Sequence, residues 1–474
     1  MKIQEFCKTH PAFLAAISFS LAIGSALFGV SIWILILLGL YLVWNHKWGA
    51  FSLLAFGGFY ATQFYTPPTT PCECTARFSI TSLQKRQTPF HKNLAYQGTL
   101  YVDGIFVPCK IIHADSAQRP CAAHDYLVTG TLLQEEGCRY LFKAKNWQPI
   151  SNSWSLAELR FRMKSRIDAF IHKHFLRNKT ASFLSCLATG DPPERQMTFE
   201  FARLGLQHLL AISGFHFGLL MAFIGSLFPL CVPKIWKWCL MLFFMTLYFV
   251  FIGSTASVQR AWIGAVLFIL GKLMNRRIIA LNLLSAAMLI ELIFNPLAIA
   301  NLGFQFSFGS CFGIFLFYPL IEKKMRHLLA KRSFALALSL PLFSQIAYLL
   351  TSSIRRSLSL TLSVNLIIGP ILLYHFGKFP LLSLLYNLFF PPLVALSLLG
   401  FVIAVLCYFL LGSSALFHIL DWYCAQLLEL TTYPPLLLDR SFYVQNVSYY
   451  GIIFYFALLL LFAIKSRQEA IELR

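Results

Sequence analysis

Apolar stretches of ~17 to 25 residues recur from one end of this chain to the other, the length that carries a helix across a ~30 Å hydrocarbon core. The stretches are continuously apolar and do not alternate, which selects membrane helices over a membrane β-barrel, because in lipid each backbone polar group must be satisfied within its own segment. Charge content points the same way: 12% of the residues are charged, against about 25% in a soluble globular protein. The formal charge of +20, from 39 Lys and Arg against 19 Asp and Glu, has two readings. Cytoplasmic loops of any membrane protein collect basic residues. Only cations away from that face point to an anionic substrate.

The run from Pro11 to Val43 is 33 residues long, longer than a signal-peptide core, and Ala50 to Tyr65 follows after a short break, so residues 1–65 read as three membrane segments. Thr66 to Pro71 is a stiff proline-rich linker. The next ~80 residues are polar, and Gly98 to Val102, Ile105 to Val107, Lys110 to His113 and Tyr126 to Leu133 carry the β-branched, aromatic and alternating pattern of strands. Residues 66–154 therefore read as a small extramembrane β-domain, a five-stranded barrel of the OB type or another small β-sandwich.

From Ser155 to Lys179 the pattern is helical, with Leu156, Leu159, Met163, Ile167, Phe170, Ile171 and His174 along one stripe. Its other face holds Arg160, Arg162, Lys164, Arg166, Lys173, Arg177 and Lys179 against Glu158 and Asp168, seven positive charges minus two negative, a local net of +5. Such a helix, residues 155–180, lies in the membrane interface, and either anchoring to lipid headgroups or guidance of a polyanion accounts for its charge.

Residues 181–411 form a membrane core, and 412–474 add interfacial and membrane helices. The apolar segments are Gly205 to Leu230, Trp236 to Ile252, Ala261 to Leu273, Ile278 to Phe294, Gly303 to Leu320, Phe334 to Leu350, Leu358 to Phe376, Leu393 to Leu411 and Tyr449 to Ile464. Phe379 to Phe390 and Ala415 to Leu430 read as re-entrant or interfacial helices. The fold class is thus a polytopic all-α membrane bundle of about 11–13 helices, some re-entrant, with a small periplasmic OB-like barrel. Lys and Arg crowd every second connection, at Lys234 and Lys237, at Lys272, Arg276 and Arg277, and from Lys323 to Arg332, which places those loops in the cytoplasm. Counting back puts the N-terminus inside and the β-domain, with the basic helix, on the outer side of the membrane.

Five of the twelve cysteines, Cys72, Cys74, Cys109, Cys121 and Cys138, fall in the outer domain, where an oxidising compartment permits one or two disulfides. Their connectivity is not readable from spacing, and Cys72 with Cys74 lacks the partner pair of a zinc site, so no metal is expected.

Gly205-Leu-Gln-His-Leu-Leu-Ala-Ile-Ser-Gly-Phe-His-Phe-Gly-Leu219 resembles the signature of the ComEC competence family, approximately G-L-x-H-L-L-A-[IV]-S-G-L-H-x-G-L. Leu187 to Asp191 resembles its L-x-x-G-D turn, Ala256-Ser-Val-Gln-Arg-Ala261 its P-S-x-x-R-A element, Asn295 to Phe308 its D-P…G-F-Q-L-S-F run, and Tyr374 to Phe379 with Asn387 and Pro391 its Y-H-F-G-x-F and N-x-x-x-x-P pattern. The resemblance implies passage of one strand of incoming DNA across the inner membrane during natural transformation. It also implies partners: single-stranded DNA, a periplasmic DNA-binding receptor and a cytoplasmic helicase-like motor, the last because no P-loop is present here. Fuller family members carry a metallo-β-lactamase-like domain with a His-x-His-x-Asp-His motif. No such cluster occurs in this sequence, so a separate nuclease is expected, with no catalytic residue and no cofactor of its own. A homo-oligomer is compatible with all of this.

A single-stranded polyanion needs a wet path with cations for phosphates and aromatic faces for bases. Candidates are His208, Ser213 and His216 on the signature segment, Gln259 and Arg260, Glu291 as a partner of Arg260, Asn301, Gln305, Asn365 and His375, with Arg160, Arg162, Lys164 and Arg166 on the basic helix. Packing between helices is the competing reading for each, and Gly214 with Gly218 reads as a small-xxx-small packing pair. On one continuous helix His208 and His216, eight residues apart, would lie about 80° from each other. Ala211-Ile-Ser-Gly214 lacks the first glycine of a serine-protease elbow. A transporter of another solute or lipid, or a non-transporting membrane scaffold, is the alternative class.

Overall fold

The computed structural model describes residues 2–28, 32–64, 70–87, 92–102, 105–114, 124–134, 140–150, 155–212, 214–227, 233–328, 341–434 and 440–472. Ser213, Cys121 and Cys138 lie outside the described residues.

Helices α1 (Lys2–Thr9), α2 (Pro11–Phe28), α3 (Ile32–Trp44) and α4 (Trp48–Phe64) precede the barrel. Strands β1 (Cys72–Gln87), β2 (Lys92–Val102), β3 (Ile105–Ala114), β4 (Asp125–Gln134) and β5 (Tyr140–Pro149) close in the order β1-β2-β3-β5-β4. β3 and β5 run parallel and the other neighbours antiparallel, so the expected five-stranded barrel is present. Alternation builds its core: Phe78, Tyr96, Leu100, Val107, Ile111, Val128 and Phe142 turn inward and are buried. Pro108 is tolerated within β3 because pairing to β5 begins only at Cys109. Gly98 and Gly130 are required, since a Cβ at either would collide with the carbonyls of Ser79 and Lys143 on the neighbouring strands. Cys72, Cys74 and Cys109 carry thiols and are not bridged to one another. Burial pushes the Cys109 thiol up to about 12, with Cys74 adding to the effect.

Helix α5 (Leu156–His174) begins at Ser155, whose hydroxyl accepts from the Glu158 backbone N–H at 3.4 Å. It does not lie free in an interface. Ala157 and Phe161 enter the barrel core, while Ile171 and Phe175 join a second core with α6 (Asn178–Thr189), α7 (Arg195–Arg203) and two later helices. Of the sequence stripe, Ile167, Phe170 and Ile171 pack into the second core while Leu159 and Met163 stay exposed, and Ala157 and Phe161, off the stripe, fill the barrel, so α5 is a bracket between barrel and bundle.

The bundle continues through α8 (Gln207–Leu210), α9 (Gly214–Leu227), α10 (Lys234–Ile252), α11 (Ala256–Leu273), α12 (Ala280–Phe294), a 3₁₀ turn Pro296–Ala300, α13 (Leu302–Leu328), α14 (Leu342–Phe376), α15 (Leu382–Leu411), α16 (Ala415–Thr432) and α17 (Tyr449–Glu472). Among the described residues five helices, α10, α11, α13, α14 and α15, are long and apolar enough to cross a membrane, and α2, α3, α9, α12 and α17 are shorter apolar helices. Three expectations change. The signature segment is two helices with a break after α8, so His208 and His216 do not share a helix. The segments expected either side of Arg355 and Arg356 are one helix, α14, because Arg355 is buried beside Glu322 of α13, Nε to Oε1 3.7 Å, and is not a loop residue. Phe379 to Phe390 and Leu393 to Leu411, expected as separate segments, join from Leu382 onward in α15, with Pro391 and Pro392 inside it. A two-stranded ribbon of β6 (Lys378–Pro380) and β7 (Ser441–Tyr443) ties the end of α14 to the approach to α17.

Candidate functional site

One group of polar residues in the bundle sits near the end of α10 to α13 that faces the barrel. Arg160 of α5 marks that end: its Nε donates to the Val250 carbonyl of α10, its NH1 reaches the Thr81 carbonyl of β1 at 3.5 Å, and Gly253 lies beside it. Gly253 takes φ +98°, which lets the chain turn directly from α10 towards α11. Arg260 follows on the second turn of α11.

Three helices converge on Arg260. Its Nε donates to Ser307 Oγ at 2.6 Å and its NH1 to Cys311 Sγ at 2.7 Å, both on α13, and the Phe308 ring centre is 6.0 Å from the guanidinium carbon. Ser307 and Cys311 are four residues apart and so present one face to the same fork. From α9, Gly214 leaves room for the other nitrogen, since a Cβ there would stand 3.2 Å from Arg260 NH2. From α12, Glu291 lies within electrostatic reach. Glu291 is only 2% exposed, and its Oε2 has no hydrogen-bond partner among the described residues. An ionised or polar group at this depth is costly unless it meets water, a partner or a substrate. The arrangement is a half-buried cation held by neutral donors and acceptors, with an unsatisfied carboxyl oxygen nearby.

The other sequence candidates scatter. His216, on the first turn of α9, is buried, whereas His208 is exposed on α8 and bonds the Gly205 backbone. Gln259 is half-buried next to Arg260. Asn301 caps α13, its Oδ1 accepting from Gly303 N at 2.8 Å, and Gln305 Nε2 donates to the Ile299 carbonyl at 2.9 Å. Asn365 bonds back along α14 to the Thr361 carbonyl, and His375 is exposed on the last turn of that helix. On α5, Arg162 pairs with Glu158 at 2.8 Å and Lys164 with Asp191 at 3.1 Å, while Arg166 is exposed. Gly218 has open space where a Cβ would sit, and Gly214 faces a side chain, so the glycine pair does not bring two helix backbones together.

Ser307 and Cys311 were not singled out by sequence. The available signal was the Gly303-Phe-Gln-Phe-Ser-Phe308 run, in which the serine is the one hydroxyl on an otherwise aromatic helix start.

A family model described as "Competence protein" matches residues 190–468, a range that contains every member of the Arg260 cluster. The ComE operon protein 3 of Bacillus subtilis (strain 168) is 29% identical over 242 residues, covering 50% of this chain and 27% of that protein. The chain therefore aligns with about a quarter of that relative's length. No solved structure matches significantly.

Proposed function

The chain belongs to the competence protein family, and on that premise we propose that it conducts single-stranded DNA across the bacterial inner membrane during natural transformation. The observation that carries the reading is Arg260, a cation held inside an apolar bundle by Ser307 and Cys311, with the Glu291 carboxyl close by. A phosphate arriving at this level meets a guanidinium already oriented by two protein groups, and exchanges one polar neighbour for a stronger, charge-assisted one. Glu291 keeps the guanidinium from binding one phosphate too tightly to release it, as conduction requires. The barrel and α5 lie on the entry side, outside the membrane. The strand is moved by a cytoplasmic helicase-like motor after delivery by a periplasmic receptor, with the complementary strand removed by a separate nuclease. The role is passage, not catalysis.

Import of labelled DNA in a strain deleted for the gene, complemented by variants, tests this. Arg260→Ala, with membrane levels unchanged, should lower import by about ten- to a hundredfold, the worth of a charge-assisted hydrogen bond of ~1.5–3 kcal/mol. Arg260→Lys should recover only part, because an ammonium cannot fork to Ser307 and Cys311 together. Normal import in the deletion strain would discard the conduit and leave transport of another solute as the reading.

A further inference from the structure

Helix α13 meets Arg260 near the end that faces the barrel, at Ser307 and Cys311, and Arg355 of α14 near its other end, at Glu322. Arg355 is 1% exposed and Glu322 is buried with it. Ser307, Cys311, Tyr318 and Glu322 follow at steps of four, seven and four residues, which at about 100° per residue keeps them on one stripe about 60° wide. Glu322 stands eleven residues beyond Cys311, about 16 Å along the helix. The stripe is thus a line of polar groups in a helix rich in Phe and Leu, with a cation at each end. Glu322 serves two guanidinium groups unequally. Its Oε2 meets Arg326 NH2, one turn along α13, at 2.5 Å, and Arg326 keeps 48% of its side chain exposed, with Tyr318 in electrostatic reach. Its Oε1 stands 3.7 Å from Arg355 Nε, longer than a hydrogen bond, while Arg355 NH2 donates to Ser352 Oγ at 3.3 Å. An ionisable group at such depth in a membrane bundle marks a route for polar cargo, since packing alone is served as well by apolar residues of the same size.

We propose that Arg355 is a second phosphate station of the passage, about 16 Å along α13 from the Arg260 cluster, and that Glu322 holds the place of the phosphate between strands. This rests on the reading of the chain as a DNA conduit and adds to it an inner contact with its own control. A carboxylate between two guanidinium groups presents them with the charge and paired oxygens that a backbone phosphate also offers. When a strand arrives, its phosphate takes the Arg355 fork and Glu322 keeps Arg326, so no carboxylate is stranded inside the bundle. As the phosphate moves on, Glu322 returns to Arg355 and competes it off. The station therefore does not become a trap, and two of them on one stripe pass a strand along the helix.

The test has two arms, both on the full chain. In the complemented deletion strain, Arg355→Lys keeps a charge opposite Glu322 but lacks the fork, so with parent-like membrane level and unfolding midpoint, import should fall about tenfold. Parent-like import overturns the station. Should the lysine lower the midpoint, the second arm decides alone. There, the protein in lipid nanodiscs meets a single-stranded oligothymidylate with iodoacetyl groups on phosphorothioate linkages, and peptide mass spectrometry shows which thiols the strand's backbone reaches. Native Cys311 marks the Arg260 cluster, and Ser352→Cys marks Arg355. Alkylation of both supports the station. Alkylation of Cys311 alone sinks the station and leaves the conduit, whereas alkylation of neither sinks both. Protection of the thiol in Ser352→Cys by phosphatidylglycerol, but not by phosphatidylcholine alone, assigns Arg355 to lipid headgroups and overturns the proposal. Glu322→Gln removes the competitor and should slow release of the plain oligonucleotide about tenfold. Unchanged or faster release denies Glu322 its part.

Discussion

The barrel and the helical bundle obey opposite rules of burial. In the barrel, apolar side chains close inward and Arg77, Gln97 and Lys145 face out. In the bundle, the large exposed side chains are Phe343, Leu349, Phe409 and Leu411, while Ser18, Ser285, Ser359, Ser363 and Arg355 are buried. The difference identifies the solvent of each region. Water rewards polar surface, and lipid rewards apolar surface and leaves polar groups to find each other inside. Polar contacts in the bundle are therefore few and each matters. Ser359 and Ser363 bond back to carbonyls one turn earlier, and Arg355, 1% exposed, lies beside Glu322, which also holds Arg326.

This contrast can be broken most severely at Arg355. Arg355→Ala leaves the Glu322 carboxylate to Arg326 and empties a fully buried position at the α13–α14 contact, and should destabilise the bundle by about 3 kcal/mol, read as a lower thermal unfolding midpoint in detergent. The double change with Glu322→Ala should cost less than the sum of the single changes. An additive result would mean that the two charges do not communicate.

In the barrel, ionic effects are governed by water and by pH. Burial opposes ionisation of Asp125, but hydrogen bonds from Arg77, Ser79 and His124 outweigh it and lower its carboxyl to about 2. A depressed carboxyl stabilises the fold above its ordinary range near 4, and the contribution disappears as pH falls through about 2. Thermal unfolding at pH 5, 3.5 and 2, followed through the strand circular dichroism, should lose about 2 kcal/mol over that window. Asp125→Asn should lose the same amount at pH 5 and then show a flatter profile. At the junction of the two regions, Ser155→Ala removes the cap of α5 and should cost about 1 kcal/mol, measurable as faster amide exchange over Leu156 to Arg160.

Helical membrane character, the small barrel and the position of the basic helix were legible from hydropathy and alternation, because each depends on local pattern. Strand β4 announced itself, as did most of β3 and the second half of β2, whereas β5 (Tyr140–Pro149) was not read as a strand. Nor was the long first strand, since Thr75 to Lys85 mixes polar and apolar residues around a register shift between Ile80 and Ser82. The motif that resembles the competence family led to the right segment but mistook it for one helix. Arg260 and Glu291 were legible as a cation and an anion out of place in apolar sequence. Ser307 and Cys311 were not, because what selects them is the convergence of α11 and α13, separated by more than 40 residues. Arg162 and Lys164 read as free cations and are paired, for the same reason.

Sequence by itself determined where lipid and water would lie along this chain, since solvent preference is a property of each segment's own side chains. The tertiary structure alone decided which charges are spent on the protein and which stay open to a ligand, because pairing depends on the three-dimensional approach of helices and strands distant in sequence. Arg160 and Lys164 are spent in this way, while Arg166 remains at the surface.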